Sequence, residues 1–471
     1  MSDQVENVKF DVVVLGAGPG GYVAAIRAAQ LGKSVAIIER EYWGGVCLNV
    51  GCIPAKVLLR NAEVAQLVSR HASAFGLTDG LTAEYSAAYK RSRDVSTGRT
   101  KGVHYLMKKN GIREFQGTGN FESAKSISVS DATGQRVALI EFDDVIIATG
   151  SVIRSLPGVE IGGRVTGYVE VILAEQMPES LVVIGAGPIG IEFACVAASF
   201  GSQVTVIEYQ DRILPMEDQE VSADLAKSLK KLGIKLVTSA RVESATDDGT
   251  RAVVRYSLGD ASETIEAQHV LVAVGFAPRL DGYGLENTGV AVTDRGAIQI
   301  DDQMRTSVPG IYAIGDVTGK LALAHVAEAQ GVLAAEALAM GSTRTLGDYR
   351  NMPRAVYSTP QVASFGLTEA QARAEIGEVL VSKFPFVASG KAHALGETAG
   401  FVKLVAAAKT RTLVGGHLVG PDVSELLPEL TLAKQQDITI DDLIHNVHAH
   451  PTLNESLQEA FHGLAGHMIN F

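Results

Sequence analysis

Cys47 and Cys52 lie five positions apart in the glycine-rich segment GGVCLNVGCIPAK, which runs from Gly44 to Lys56. A thiol pair at this spacing can close and open a disulfide, or contribute to a metal site. Zinc takes four ligands, and no second cysteine cluster supplies them. Two-electron sulfur chemistry is therefore the expected use, and no metal site is expected. Pro54 suits the first turn of a following helix. Cys52 then falls near a helix N-terminus, where the dipole favours a thiolate, and Lys56 adds a positive charge close by. The third cysteine, Cys195, sits in the apolar stretch EFACVAASF and is expected in the core. A second reactive constellation is HAHPTLNE, His448 to Glu455. Pro451 restricts the backbone of His450, and the Glu455 carboxylate could hold the ring and stabilise its charged form, as general base catalysis requires. Thr452 and Glu455 also fit a helix capping box, T-x-x-E. His445, His448, His462 and His467 are nearby competitors for any catalytic role.

Thiols need an electron acceptor, and an internal repeat suggests where one would bind. FDVVVLG, an apolar run ending at Gly16, predicts a buried strand. Gly16, Gly18 and Gly21 follow as G-x-G-x-x-G, then a helical stretch closed by Gly32, then a strand ending in Glu39. The same order recurs with Gly185, Gly187, Gly190 and Glu208. The acidic residue closes each copy 18 positions after the last glycine (39 − 21 and 208 − 190). In such a unit the first glycine permits a tight turn. The second lets the backbone approach a pyrophosphate, and the third lets helix and strand pack closely. The carboxylate accepts hydrogen bonds from ribose hydroxyls. A single motif is a weak signal, but two copies with matching strand, helix and acid imply two dinucleotide sites, for which FAD plus a nicotinamide is the common pairing. Glu208 would repel a 2′-phosphate and only Arg212 is near, so NAD is favoured over NADP.

The chain has 471 residues, room for about three domains. Further apolar strands ending in Gly are expected at VIIATG, to Gly150, and VLVAVG, to Gly275, and another in IYAIGD, to Asp316. An Ala-rich helix is expected from about Ala322 to Met340. Beyond Asn351, strand-like pieces alternate with helices. The resulting expectation is an α/β protein: two Rossmann-like dinucleotide-binding domains plus a C-terminal α+β dimerisation domain. The divisions are 1–150 (first part of the FAD-binding domain), 151–275 (NAD-binding domain), 276–350 (central part completing the FAD region) and 351–471 (interface domain). A net charge of −12 without a basic run argues against nucleic-acid binding. No window approaches the length of apolar chain a membrane helix needs. MSDQVENVKF lacks the features of a leader, so a cytoplasmic location is expected.

Together these pieces resemble the pyridine nucleotide–disulfide oxidoreductases over essentially the whole chain, with GGVCLNVGCIPAK the most specific segment. Ala55 stands where the family usually has Ser. The resemblance implies a homodimeric enzyme that oxidises a dihydrolipoyl dithiol, carried on lipoyl domains of 2-oxo acid dehydrogenase complexes, and reduces NAD⁺ through a Cys47–Cys52 disulfide and FAD. It implies Cys52 as the thiol against the flavin and Cys47 as the interchange thiol. Lys56, paired with Glu192, would lie beside the flavin. His450, oriented by Glu455, would be the base serving the partner subunit. It also implies FAD contacts at Glu39, Gly119, Gly150, Asp316 and Ala324, and an NAD site lined by Glu208, Val242 and Gly275. A glutathione-type reductase would carry ribose-phosphate arginines, a mercuric or large thioredoxin reductase extra C-terminal cysteines; neither feature is present.

Overall fold

The computed structural model describes residues 5–70, 72–78 and 81–471; residues 1–4, part of the stretch read for a leader, lie outside the described residues. The chain forms two compact units. One comprises Met1–Val57, Tyr89–Arg154 and Gly275–Tyr349, the other Leu58–Ala88, Ser155–Val274 and Arg350–Phe471.

The first unit is built on the β-branched run Val12–Val14, fully buried in the strand Glu6–Leu15. Parallel neighbours Val35–Glu39 and Arg136–Ile147 flank that strand, with Arg113–Gln116 beyond the former and Ile311–Ala313 beside the latter. Thr118–Ser123 and Ser126–Ser130 extend the sheet as an antiparallel meander. The helix Pro19–Gln30 returns across the sheet and packs on the helix Ala324–Met340. Only glycine allows that contact. A Cβ at Gly20 would stand 2.8 Å from the Ala327 carbonyl oxygen, and one at Gly331 would stand 2.5 Å from that of Gly20. Arg27 and Glu336 close the pair with a 2.7 Å ion pair.

The second unit repeats the plan. Ser180–Ile184 lies between parallel strands Gln203–Ile207 and His269–Val272, with Lys235–Val237 and Val165–Thr166 outermost. Ala240–Asp247, Ala252–Leu258 and Ala261–Ala267 form its antiparallel meander. The same unit carries a five-stranded antiparallel sheet in the order Arg354–Val356, Gln361–Gly366, Leu413–Gly420, Phe401–Ala407, Val379–Pro385. Phe365, Leu404 and Leu418 from one face of this sheet join Leu430, Leu457 and Phe461 from the helices Leu427–Gln435 and Glu455–Leu464 in one core.

Two element boundaries differ from expectation. The helix after the cysteines begins at Cys52 itself, two residues before Pro54. Proline is tolerated there because N–H groups in a first helical turn have no intrahelical partner. The last helix begins at Glu455, not directly after Thr452 at Leu453. The capping box is half-formed: Glu455 accepts the Thr452 N–H at 2.8 Å, but the Thr452 hydroxyl donates to the Ala449 carbonyl at 2.7 Å.

A Cβ at Gly190 would collide with the Gly185 carbonyl oxygen. Gly190→Ala is therefore expected to lower stability by about 1–3 kcal/mol and to weaken nicotinamide dinucleotide binding while FAD stays bound. Thermal melts and a cofactor titration check both effects.

Candidate active site

The two glycine loops superpose in their chemistry. Gly16 and Gly185 take left-handed φ of +106° and +102°, which a side chain would strain. Gly21 and Gly190 each press against the carbonyl of the motif's first glycine. The middle glycines differ: a Cβ on Gly18 or Gly187 would meet no atom within 4 Å. Each precedes a helix with proline at its start and no acidic residue in its first turn. The exposed helix N-terminus and the open ground in front of it fit a pyrophosphate. Glu39 accepts the Ala17 N–H at 2.8 Å, and Glu208 accepts the Ala186 N–H at 2.7 Å. Their second oxygens accept from Glu41 and Tyr42, and from Gln210. A carboxylate offers about four acceptor sites, so capacity for ribose hydroxyls remains. The other face of each loop is held as well, since the Ala17 carbonyl accepts from Gly44 and the Ala186 carbonyl from Leu214, both at 2.9 Å.

Gly44 leads directly into the cysteine segment. Gly44 and Gly45 both have positive φ, and a Cβ on Gly45 would lie 2.6 Å from Gly18 Cα. The single helical turn Gly45–Asn49 that carries Cys47 is thus mounted over the first nucleotide loop. Cys47 and Cys52 stand as half-buried thiols, not joined in a disulfide, whose side chains hydrogen-bond to each other. That bond, burial and the negative charge of a Cys52 thiolate hold the Cys47 thiol far above its ordinary range, with Glu328 adding to the effect and Lys56 opposing it. Reduced, the pair therefore keeps a proton on Cys47. Cys195 is fully buried, and burial pushes its thiol up to about 12, as befits a core residue.

The remaining expected positions are placed as follows. Asp316 accepts a 2.7 Å hydrogen bond from the Ser151 hydroxyl, and burial raises its carboxyl pKa. Ala324 is the first residue of its helix. Gly119 faces the core, where a Cβ would stand 2.6 Å from Leu15 Cδ1; any cofactor contact there falls to its backbone. Gly150 and Gly275 both adopt positive φ in open space, where strands Ser151–Ile153 and Phe276–Pro278 run antiparallel. Val242 is half-buried beside a bulge in Ala240–Asp247. Lys56 lies one turn beyond Cys52 in the helix Cys52–Arg70. Buried Glu192 accepts the Tyr357 N–H at 2.9 Å.

His450 Nδ1 lies 2.8 Å from Glu455 Oε1, with its side chain 79% exposed, so one ring nitrogen is oriented and the other faces outward. The His450–Pro451 peptide is cis. The Thr452 N–H and the ring keep the Glu455 carboxyl below its usual pKa despite burial working against it. Residues 10–331 match the family described as pyridine nucleotide-disulphide oxidoreductase, and residues 352–461 match its dimerisation domain. The chain belongs to the pyridine nucleotide-disulphide oxidoreductase family. It is 56% identical over 464 residues to the dihydrolipoyl dehydrogenase of Mycobacterium leprae, covering 98% of this chain and 99% of that one. It is 55% identical over 466 residues to the dihydrolipoyl dehydrogenase of Corynebacterium glutamicum, with the same coverage. Among solved structures it is similar to LpdA from Mycobacterium tuberculosis, with a TM-score of 0.89 at 28% identity over 98% of this chain and 100% of that one. It is also similar to the HOCl-induced flavoprotein disulfide reductase RclA from Escherichia coli, with a TM-score of 0.85 at 27% identity over 96% and 99%.

The cofactors are FAD and NAD, and the dimerisation domain supports a homodimer. The two loops described above fit such cofactors. Arg212 does not form a phosphate cluster: its guanidinium is engaged by Asp211 and by the Pro215 carbonyl. Among the described residues no helix is long and apolar enough to cross a membrane, and no group of three metal-ligating side chains occurs.

Sequence spacing did not single out several residues that hold this family site. Asn49, between the cysteines, donates to the Trp43 and Gly45 carbonyls at 2.9 Å, and its own carbonyl accepts from Arg93 at 2.7 Å. Its polar side chain inside the motif was the available signal. His448, considered only as a rival to His450, is buried (5% exposed) and contacts both oxygens of Glu429 at 3.0 and 3.1 Å. Asn446 donates to the same carboxylate at 2.9 Å. Glu429 thus anchors the segment that ends in His450.

Hydrogen bonding to Glu429 raises the His448 pKa, and His448 in turn lowers that of Glu429. The pair's stabilisation is thus complete between about pH 4.5 and 6.5, the unfolded values of the two groups. It fades as pH rises through the elevated His448 value. Glu429→Gln is expected to cost about 1–3 kcal/mol at pH 6, and clearly less at pH 9. Urea melts of both proteins at the two pH values check the sign.

Proposed function

We propose that this chain is an NAD-dependent dihydrolipoyl dehydrogenase acting on dihydrolipoyl groups carried by lipoyl domains of 2-oxo acid dehydrogenase complexes, in the cytoplasm. The observation that carries the reading is the mutually hydrogen-bonded Cys47–Cys52 pair, with Cys47 on a turn whose Gly45 packs against Gly18 of the first dinucleotide loop. The names of the Mycobacterium leprae and Corynebacterium glutamicum relatives support the substrate class. In this reading residues 1–150 and 276–350 hold FAD, 151–275 hold NAD and 351–471 form the subunit interface.

The proposed roles follow from the chemistry of the side chains. Oxidised enzyme holds a Cys47–Cys52 disulfide. His450, its ring fixed by Glu455, removes a proton from one substrate thiol, because the thiolate is the nucleophile. That thiolate attacks Cys47, forming a mixed disulfide and releasing Cys52 as thiolate. The second substrate sulfur displaces Cys47, closing the substrate disulfide and leaving both enzyme sulfurs reduced. FAD supplies the capacity to take an electron pair from a dithiol and pass a hydride to NAD⁺. Lys56 and the helix dipole at Cys52 favour the thiolate that would meet the bound flavin. As the resemblance to the family implies, the His450–Glu455 pair of one protomer serves the cysteines of its partner, and the 79% exposure of the His450 side chain agrees with that role.

Two variants test the scheme. Cys47→Ser is expected to abolish turnover of free dihydrolipoamide with NAD⁺ while leaving a Cys52 thiolate whose long-wavelength charge-transfer absorbance is visible. His450→Gln is expected to slow the same reaction about 10²–10⁴-fold and to spare NADH-to-dye transfer. Turnover retained in the first, or equal loss of both activities in the second, contradicts the assigned roles.

A further inference from the structure

The five-stranded sheet carries a row of polar residues across its whole width. Arg354 is opposite Ser364, Ser364 opposite His417, His417 opposite Lys403 and Lys403 opposite Lys383. Direct cross-strand partners lie on one face, so the five residues form a single line. It is the face away from the core containing Leu404, Leu418 and Phe461. Most of this row is out of water: Lys403 is 3% exposed, Ser364 1% and His417 0%.

What meets the row is acidic. Lys403 Nζ lies 3.0 Å from Asp218, 2.7 Å from Glu220 and 2.8 Å from Glu369. Lys383 also reaches Glu220, at 2.5 Å, and Arg354 faces buried Glu217 at 3.5 Å. Asp218 caps the helix Gln219–Leu232. Burial opposes the charge on Lys403, but three carboxylates outweigh it and raise its pKa.

From Asp218 the contacts run to the second glycine loop. The Ser222 N–H donates to the Asp218 carbonyl at 3.1 Å, and the Ser222 hydroxyl donates to the Leu214 carbonyl at 3.2 Å. The Glu217 N–H reaches the same carbonyl at 2.9 Å. Leu214, held at φ +43°, donates its own N–H to the Ala186 carbonyl, between Gly185 and Gly187. In the first copy the equivalent donor is Gly44, which leads to the cysteines. In the second copy it leads to the buried lysine.

We propose that Lys403 is a positioning residue for nicotinamide dinucleotide binding, acting through Asp218, Ser222 and Leu214 on the backbone of the second glycine loop. The inference rests on the reading that this second copy is the NAD site. Lys403→Met leaves buried Asp218 without its cation, while Glu220 keeps Lys383 and Glu369 keeps Arg373, so stability falls as well. The discriminating readout is NAD⁺ affinity of the holoenzyme, followed by flavin fluorescence, alongside FAD content and the charge-transfer absorbance formed with dithiothreitol. Lys403→Met is expected to weaken NAD⁺ binding about tenfold, with FAD content and the dithiothreitol signal unchanged. Ser222→Ala, a mild change, is expected to weaken it about two- to threefold. A folded Lys403→Met with lowered melting temperature but unaltered NAD⁺ affinity makes the row mere structural support and overturns the proposal. Should Lys403→Met not fold, Ser222→Ala decides, and unaltered affinity there overturns it equally. Glu208→Ala separates the two levels: weaker binding in that variant alone rejects only the role of Lys403, while unaltered binding in all three rejects the location of the NAD site itself.

Discussion

The hold that a carboxylate keeps on one backbone N–H underlies much of this molecule. Glu39 grips Ala17, and Glu208 grips Ala186, each from the end of the neighbouring parallel strand. A glycine-rich turn has little conformational preference of its own and loses more entropy on ordering than other chain. Pinning its central residue from both sides, N–H to carboxylate and C=O to the next loop, fixes the N-terminus of the helix that follows. With the helix end fixed, its unpaired N–H groups point one way, and the ground in front of the middle glycine stays clear. A single acidic residue therefore serves twice, ordering the loop and presenting acceptor capacity at the place where a ribose would lie.

The same fixture is used to mount different cargo. In the first unit the donor to the Ala17 carbonyl is Gly44, so the cysteine turn is tied to the nucleotide loop at a distance only two glycines allow. In the second the donor is Leu214, and the chain continues into a helix seated on a charged sheet face. Duplication supplied a common binding plan, and the residues just after the acid gave each copy its task.

Much of this was legible from the chain. The apolar run at Val12–Val14, the glycine spacings and Glu39 and Glu208 marked both βαβ units, because burial and left-handed φ leave strong local signatures. Cys52 at a helix start was foreseeable from Pro54. Other features were not legible for definite reasons. The helix began before Pro54, since proline marks the first turn and not its first residue. Thr452 gave its hydroxyl to Ala449 in place of the helix, a choice between two local acceptors that sequence does not rank. Glu429 is 19 positions before His448, and Lys403 meets Asp218, 185 positions earlier. Pairings that depend on tertiary approach carry no periodic signal.

The mutual hydrogen bond of the cysteines has an implication for bookkeeping of protons. Because the hydrogen bond and burial hold the proton on Cys47, negative charge on the reduced centre falls to Cys52, the thiolate of the proposed scheme. With Cys52 as thiolate, closing the sulfur–sulfur bond expels one proton per two electrons, and the midpoint of the centre then drifts with acidity at half the slope of a fully protonated dithiol. Acidity of the surroundings thereby becomes a modest lever on the direction of flow.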